Sequence, residues 1–398
     1  MSVMPNGVRL AAAATAMALG LSVAACTAGD VGRADSGHVE SVASETTTSF
    51  SAPVVSVADG AKGVSPSEPV VVDAEAGIRA VQMTNESGKV VKGSFNDDMT
   101  QWQTAEPLGY GRTYTLVGKD RAGNSLDRSF TTVVPNAQTS VYFGLADGAE
   151  VGVGQAIPIH FTYAPADKKK AERAITVDTS NDSEGGFYWQ SANVAVWRPK
   201  EFWQPGTDVT VTADVYGRDL GGGIYGADSS TMSFTVGDEV LTTVDNATKT
   251  LTVTRNGEVL RSFPVSLGRP GRWATPSGTY VVGDRTESMV MDSTTYGLSL
   301  DAGGYKTPVK YATQLSYSGI YVHAAPWATA ALGEYNQSHG CINASTEDAK
   351  WYQETVRRGD PVEVVNSDGD TLPGWDGLGY WNLGWEEFSD GSAKPPAH

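Results

Sequence analysis

"PLGYGRTYTLVGKDRAGN", residues 107–124, decides how the first half of the chain is built. Gly111 supplies a turn, and from Thr113 polar and apolar residues alternate with the period of a half-buried strand. Trp102 stands just upstream, with Tyr114 twelve residues after it, and the apolar strand "RSFTTVV" closes the unit. The same plan recurs in "FWQPGTDVTVTADVYGRDLG", residues 202–221. There Trp197 precedes Val209 by twelve residues, Gly206 takes the turn, and "TMSFTVG" closes. An offset of 95 residues predicts two tandem β-sandwiches of immunoglobulin-like size, bounded at 53–136 and 137–237. Trp102 and Trp197 then belong to the two cores, with a sugar-stacking role as the alternative.

The chain of 398 residues is long enough for several cores. A net charge of -17 argues against a nucleic-acid partner, because phosphate contacts need clustered Lys and Arg. The one basic run, Lys168-Lys169-Lys170, reads as a solvated loop face.

At the N-terminus a single Arg9 precedes the apolar run "AAAATAMALGLSVAA", which is too short to span a bilayer and reads as a signal-peptide core. It ends at Val23-Ala24-Ala25-Cys26, which resembles a bacterial lipobox. The resemblance implies removal of residues 1–25, lipidation of Cys26 and export to the outer face of the cytoplasmic membrane. Ordinary cleavage nearby, with Cys26 lost, is the alternative. Residues 26–52 are small, polar and Thr/Ser-rich, and read as a disordered tether.

A third domain is expected at 238–367. "KTLTVTRNGEVLRSFPVSLG", residues 249–268, is a hairpin whose Asn256-Gly257 pair suits a type I′ turn. Strands follow at "GTYVVG" and "GIYVHA". A helix is predicted over "TEDAKWYQETVRR", capped by Ser345 with Asp348 and ended at Gly359. The extension 368–398 carries Trp375, Trp381 and Trp385, too much apolar surface to leave in water, and is expected to pack back on its neighbours. The fold class is therefore mainly β.

On the loop between these strands and that helix lies "SHGCIN", residues 338–343. With Cys26 lipidated or removed, Cys341 has no partner for a disulfide. An unpaired thiol in an oxidising compartment is either buried or used. A nucleophilic thiolate needs a nearby imidazole, and His339 and His323 are the candidates. Gly340 permits a tight turn whose amides could hold an oxyanion. Zinc is a poorer reading, since one cysteine and two histidines fall short of the four ligands of a structural site.

"SHGCIN" with the upstream "HAAPW" and "ATPSGTY" resembles the L,D-transpeptidase (YkuD) catalytic domain. The sandwiches, lipobox and Trp-rich tail make the chain similar to its actinobacterial, mycobacterial-type members. The resemblance implies Cys341 as nucleophile, His323 as general base and the Ala324 carbonyl as its orienting partner, where many relatives have Ser. His339 and Gly340 shape the cysteine loop, and the Gly340 and Cys341 amides form the oxyanion hole. Tyr317 lies near that hole; Met289, Tyr305, Trp327 and Asn343 line a donor pocket under a lid formed by "MVMDSTTYG" through "AGGYKTP". The implied reaction acylates Cys341 with a peptidoglycan stem tetrapeptide, releases D-Ala and passes the acyl group to a diamino-acid amine of another stem. No metal or other cofactor is required, and carbapenems are implied inhibitors. An L,D-carboxypeptidase, an enzyme attaching protein amines to the wall and a non-catalytic wall scaffold are the competing readings.

Overall fold

The computed structural model of the chain describes residues 50–390. The leader 1–25, Cys26, most of the 26–52 tether and residues 391–398 lie outside the described residues. No helix among the described residues is long and apolar enough to cross a membrane.

The described chain is mainly β, as the turn and strand pattern predicts. In the first sandwich one sheet runs Val54–Val55, Val71–Asp73, Gln101–Thr104 and Gly93–Phe95. The other runs Ile78–Asn85, Thr113–Asp120 and Ser125–Thr131, and both sheets feed one core. The second sandwich has two four-stranded sheets. One is built on Asp208–Ala213 and Ser230–Val236, the other on Val194–Pro199 and Ile157–Phe161. The equivalences read from the sequence hold at the level of register. Tyr114 lies opposite Phe130, and Val209 lies opposite Phe234. Gly111 and Gly206 both take positive φ, at 60° and 80°. Trp102 and Trp197 are buried, each lying over a strand glycine, Gly93 and Gly185, where a Cβ would strike the indole.

The basic run corrects the loop reading, because Lys168–Arg173 is a short helix. Asp167 caps it by accepting from the Lys170 amide at 3.0 Å, and its Ala171 is fully buried. Lys170 pairs with Asp219 at 2.7 Å.

The third domain opens with the expected hairpin, Thr250–Arg255 and Glu258–Pro264, turned by Asn256 at φ 49° and Gly257 at φ 83°. These strands form part of a six-stranded sheet with Val240–Asp245, Pro361–Val365, Pro276–Val281 and Gly369–Thr371. A second sheet takes the order Arg285–Asp292, Lys306–Gln314, Tyr321–Ala324 and Ile342–Ala344. The helix Thr346–Thr355 buries Ala349 and Tyr352 in the domain core. Its Ser345 Oγ accepts from the Asp348 amide at 3.0 Å and donates to the Asp348 carboxylate at 2.6 Å.

That helix ends earlier than predicted, because Val356 turns extended while its N–H reaches the Tyr352 carbonyl. Gly359 is therefore not the helix cap. Its N–H donates to Val282 and its carbonyl accepts the Gly154 N–H, both at 2.8 Å, so it joins the third domain to the second sandwich. The tail straddles the same two units. Trp381 Nε1 donates to the Gly154 carbonyl at 2.8 Å, and Asn382 makes paired bonds with Thr279. Tyr380 and Phe388 pack on Tyr188 and Val196 of the second sandwich.

Candidate active site

The strands Tyr321–Ala324 and Ile342–Ala344 pair in parallel, with Val322 opposite Ile342 and His323 opposite Asn343. Side chains alternate along a strand, so one face of this pair carries Val322, Ala324, Ile342 and Ala344. All four sit in the domain core. The other face carries Tyr321, His323, Cys341 and Asn343. Alternation thus puts every polar group of "YVHA" and "CINA" on one side. That side opens into a cavity of about 350 Å³ lined by His323, Cys341, Asn343, His339, Tyr305 and Trp327. Cys341 lies directly ahead of the short strand Ile342–Ala344 rather than within a loop, because this strand was not legible as one.

The thiol is only 5% exposed, and its Sγ donates to the Gly319 carbonyl at 3.4 Å. Burial pushes its pKa up to about 11, against the opposing Tyr321 N–H. An unassisted thiolate at neutral pH then costs about 5 kcal/mol. His323 is also buried, and its Nδ1 lies 3.0 Å from the Ala324 carbonyl. A carbonyl only accepts, so Nδ1 carries the proton and Nε2 is left as the basic nitrogen. Burial holds this imidazole below its ordinary pKa. The resting pair is therefore neutral thiol and neutral imidazole, so any attack by this sulfur would need a proton transfer with it.

His339 behaves differently. Its Nε2 lies 2.8 Å from the Arg269 guanidinium, which only donates, so Nε2 is an acceptor already engaged. Burial and then Arg269 lower its pKa, while a bond to the Gly303 backbone opposes them. Rings of Trp273 and Tyr305 stand 4.7 and 5.0 Å away. His339 thus ties the lid tip to the cysteine loop.

Gly340 takes φ 129°, a conformation that a side chain would strain. Its N–H donates to Ser338 Oγ at 3.0 Å, and that hydroxyl donates to the Cys341 carbonyl at 2.6 Å. The Gly340 amide expected in the oxyanion hole is therefore occupied within the loop. Thr275 Oγ donates to the Gly340 carbonyl at 2.8 Å, which gives the "ATPSGTY" segment a task as a brace. Ser338, Arg269, Trp273 and Thr275 were not singled out from the sequence, and only Ser338 and Thr275 lay inside quoted motifs.

Tyr305, Trp327 and Asn343 line the cavity. Met289 does not. Both Met289 and Met291 face inward along the lid strand, but Met291 is the one at the cavity, with Met289 packed behind it. Tyr317 is not a lining residue either. Its N–H donates to Asp376 at 2.7 Å and its ring lies against Gly377, both in the tail. The lid is the hairpin Arg285–Asp292 and Lys306–Gln314 with an irregular tip. Where the strands enter the tip, Lys306 bonds Asp292 at 2.7 Å and holds that carboxyl down to about 2.

The L,D-transpeptidase catalytic domain family matches residues 239–364, and the bacterial Ig domain family matches 61–219. L,D-transpeptidase 2 of Mycobacterium tuberculosis (strain CDC 1551 / Oshkosh) is 46% identical over 344 residues, covering 85% of this chain and 84% of that protein. L,D-transpeptidase 5 of M. tuberculosis (strain H37Rv) is 35% identical, covering 85% and 76%. The solved structure of LD transpeptidase LdtMt1 in complex with imipenem superposes with a TM-score of 0.51 at 38% identity, over 58% of this chain and 100% of that one.

Proposed function

This chain belongs to the L,D-transpeptidase family of enzymes, and on that premise we propose that it cross-links peptidoglycan stems through a Cys341 thioester. The observation that carries the reading is the shared face of the parallel strand pair, which puts His323 and Cys341 into one cavity.

In the proposed cycle the Sγ proton passes to His323 Nε2 as sulfur attacks the carbonyl of the third stem residue, a diamino acid. The tetrahedral intermediate collapses, the amine of the terminal D-Ala leaves with the proton from His323, and the thioester remains. The side-chain amine of a second stem then attacks the thioester carbonyl and gives its proton to His323. The departing sulfur recovers that proton. The Ala324 carbonyl keeps the imidazole in the tautomer that both halves need. Tyr305, Trp327 and Asn343 bound the donor stem, and a carbapenem acylates the same sulfur through its strained lactam.

Export and a lipid anchor at Cys26 complete the proposal, since a membrane-tethered stalk of two sandwiches would lift this cavity toward the wall. The test incubates the chain from residue 27 onward with disaccharide-tetrapeptide, beside Cys341→Ala, and reads products by mass spectrometry. A dimer lighter by one D-Ala, absent with the variant, is the expected result. Tripeptide alone would make the enzyme a carboxypeptidase, and unchanged substrate with no carbapenem adduct would overturn the reading.

A further inference from the structure

The turn 316–320 connects the lid hairpin to the strand bearing His323, and it supplies the Gly319 carbonyl that accepts from the Cys341 thiol. Two clamps hold this turn. The inner one is local: Ser316 Oγ accepts from the Ile320 amide at 2.8 Å. The outer one comes from the tail. Asp376, 5% exposed, accepts from the Tyr317 amide at 2.7 Å and from the Ser318 amide at 3.0 Å, one through each carboxylate oxygen. Bonds from two amides to an ionised carboxylate are stronger than neutral ones. Gly319 itself takes φ 100°, and the Tyr296 ring of the lid tip lies so close that a Cβ would approach it to 2.9 Å.

We propose that Asp376 is a positioning residue for Cys341, fixing through both amides of this turn the carbonyl that holds the thiol proton. The proposal rests on the reading of Cys341 as the nucleophile. The thiol rests protonated, with its hydrogen directed at the Gly319 carbonyl. Substrate entry has to swing that hydrogen to His323 Nε2, and a rigid turn makes the swing start from one defined geometry. The groups facing the thiol are Tyr305, Tyr321, His323 and His339; those facing the Asp376 carboxylate are Tyr280, Tyr317 and Tyr380.

Releasing the turn has two consequences of opposite sign. The thiol loses its acceptor and gains water, so it ionises more readily and meets small electrophiles faster. The scissile carbonyl and the thiol lose their alignment, so acyl transfer slows. A merely structural role moves both rates down together.

The experiment compares the full chain with Asp376→Ala and Asp376→Asn, following iodoacetamide alkylation of Cys341 across pH by intact mass, and acyl transfer alongside. With Asp376→Ala the midpoint of the alkylation profile falls by about one unit and alkylation at pH 7 quickens about tenfold. Transfer slows by about tenfold. Asp376→Asn keeps one acceptor oxygen and falls between. Unchanged rates, or both rates falling in step with lost folded protein, would overturn the proposal. Should Asp376→Ala not fold, Ser316→Ala cuts the other clamp on the same turn and must give the same opposed pair of changes. An alkylation shift in a chain whose native form transfers no acyl group would sink the proposed function and leave the Asp376 assignment standing.

Discussion

The two junctions of the second sandwich are built on different physics. Toward the first sandwich the joint is a few tyrosines. Tyr110 Oη donates to the Gly226 carbonyl at 2.6 Å and accepts from the Gly217 amide at 2.7 Å, while Tyr216 Oη donates to Leu108. An open cleft of about 620 Å³ remains beside it, with Glu68 and Asp214 exposed on its walls. Toward the third domain the joint is backbone against backbone. Gly152 and Gly154 donate to Arg358 and Gly359 at 2.8 Å, at an approach that no Cβ would permit. The tail then seals that joint from outside, with Arg198 stacked on Trp381 and Phe388 at 4.3 Å. The second sandwich is thus part of the catalytic body, and the first is carried by it.

The sharpest break of this comparison is truncation at each side. Ending the chain at Pro373 removes Leu378, Tyr380 and Phe388, all buried, and exposes their partners. At about 2 kcal/mol each, the loss is on the order of 6 kcal/mol, enough to unfold a marginal unit. Thermal unfolding should show the third domain melting early, with acyl transfer lost. Removing residues 50–135 should leave kcat/KM within about twofold, since few groups cross that joint. Equal losses from both truncations would erase the distinction.

The second test uses pH. Asp360 is fully buried at the tight joint, and Oδ1 has no hydrogen-bond partner among the described residues. Burial raises its pKa from 3.8 to about 7, against Arg357, Arg285 and Arg255. Below pH 4 folded and unfolded chains both hold the proton and nothing is lost. Between pH 4 and 7 the unfolded chain releases it first, so stability falls, by about 4 kcal/mol at most once pH exceeds 7. Asp360→Asn should flatten that slope in urea titrations at pH 4.5 and 8, because the amide oxygen can still accept from the Arg357 N–H.

Third comes the cation. Arg198 is 2% exposed, and burial lowers its pKa to about 10. Its guanidinium donates to Pro199, Lys200 and Leu383 carbonyls, and among the described residues no carboxylate bonds it. Arg198→Ala orphans these carbonyls and empties the aromatic cage, for about 3 kcal/mol. Arg112→Ala in the first sandwich breaks only an exposed pair with Glu86, which solvent screens, and should hardly move the midpoint. Denaturation midpoints of the two variants check the contrast.

What the sequence disclosed tracks how local the cause is. The hairpin at Asn256-Gly257 and the twin tryptophan units were legible because turn residues and period-two patterns act within a dozen residues. The polar face of His323 and Cys341 became legible only through the motif, since the strand Ile342–Ala344 is three residues long and has no pattern of its own. Three of the misses depend on packing far along the chain. The motif puts Tyr317 near the oxyanion hole, but Asp376, 59 residues later, draws its turn toward the tail. Met289 and Met291 share a face, and only the closure of the lid decides which one reaches the thiol. Gly359 looked like a helix cap, yet its carbonyl serves Gly154, a residue of the neighbouring sandwich.

The smallest effect tests the loose joint itself. Tyr110→Phe keeps the ring contacts with Tyr216 and Tyr225, at 5.1 and 5.9 Å, and removes only the hydroxyl. The Gly226 carbonyl and Gly217 amide both lose a partner, but Gly217 lines an open cleft from which water can replace it. The net cost should be about 1 kcal/mol, felt by the first sandwich alone. Calorimetry of the variant should show that sandwich melting a few degrees earlier, with the remaining transition and the rate of carbapenem acylation unchanged. Should the rate follow the first sandwich instead, the tyrosine joint would be transmitting strain to the cavity, and the division of the molecule into a carried unit and a catalytic body would be wrong.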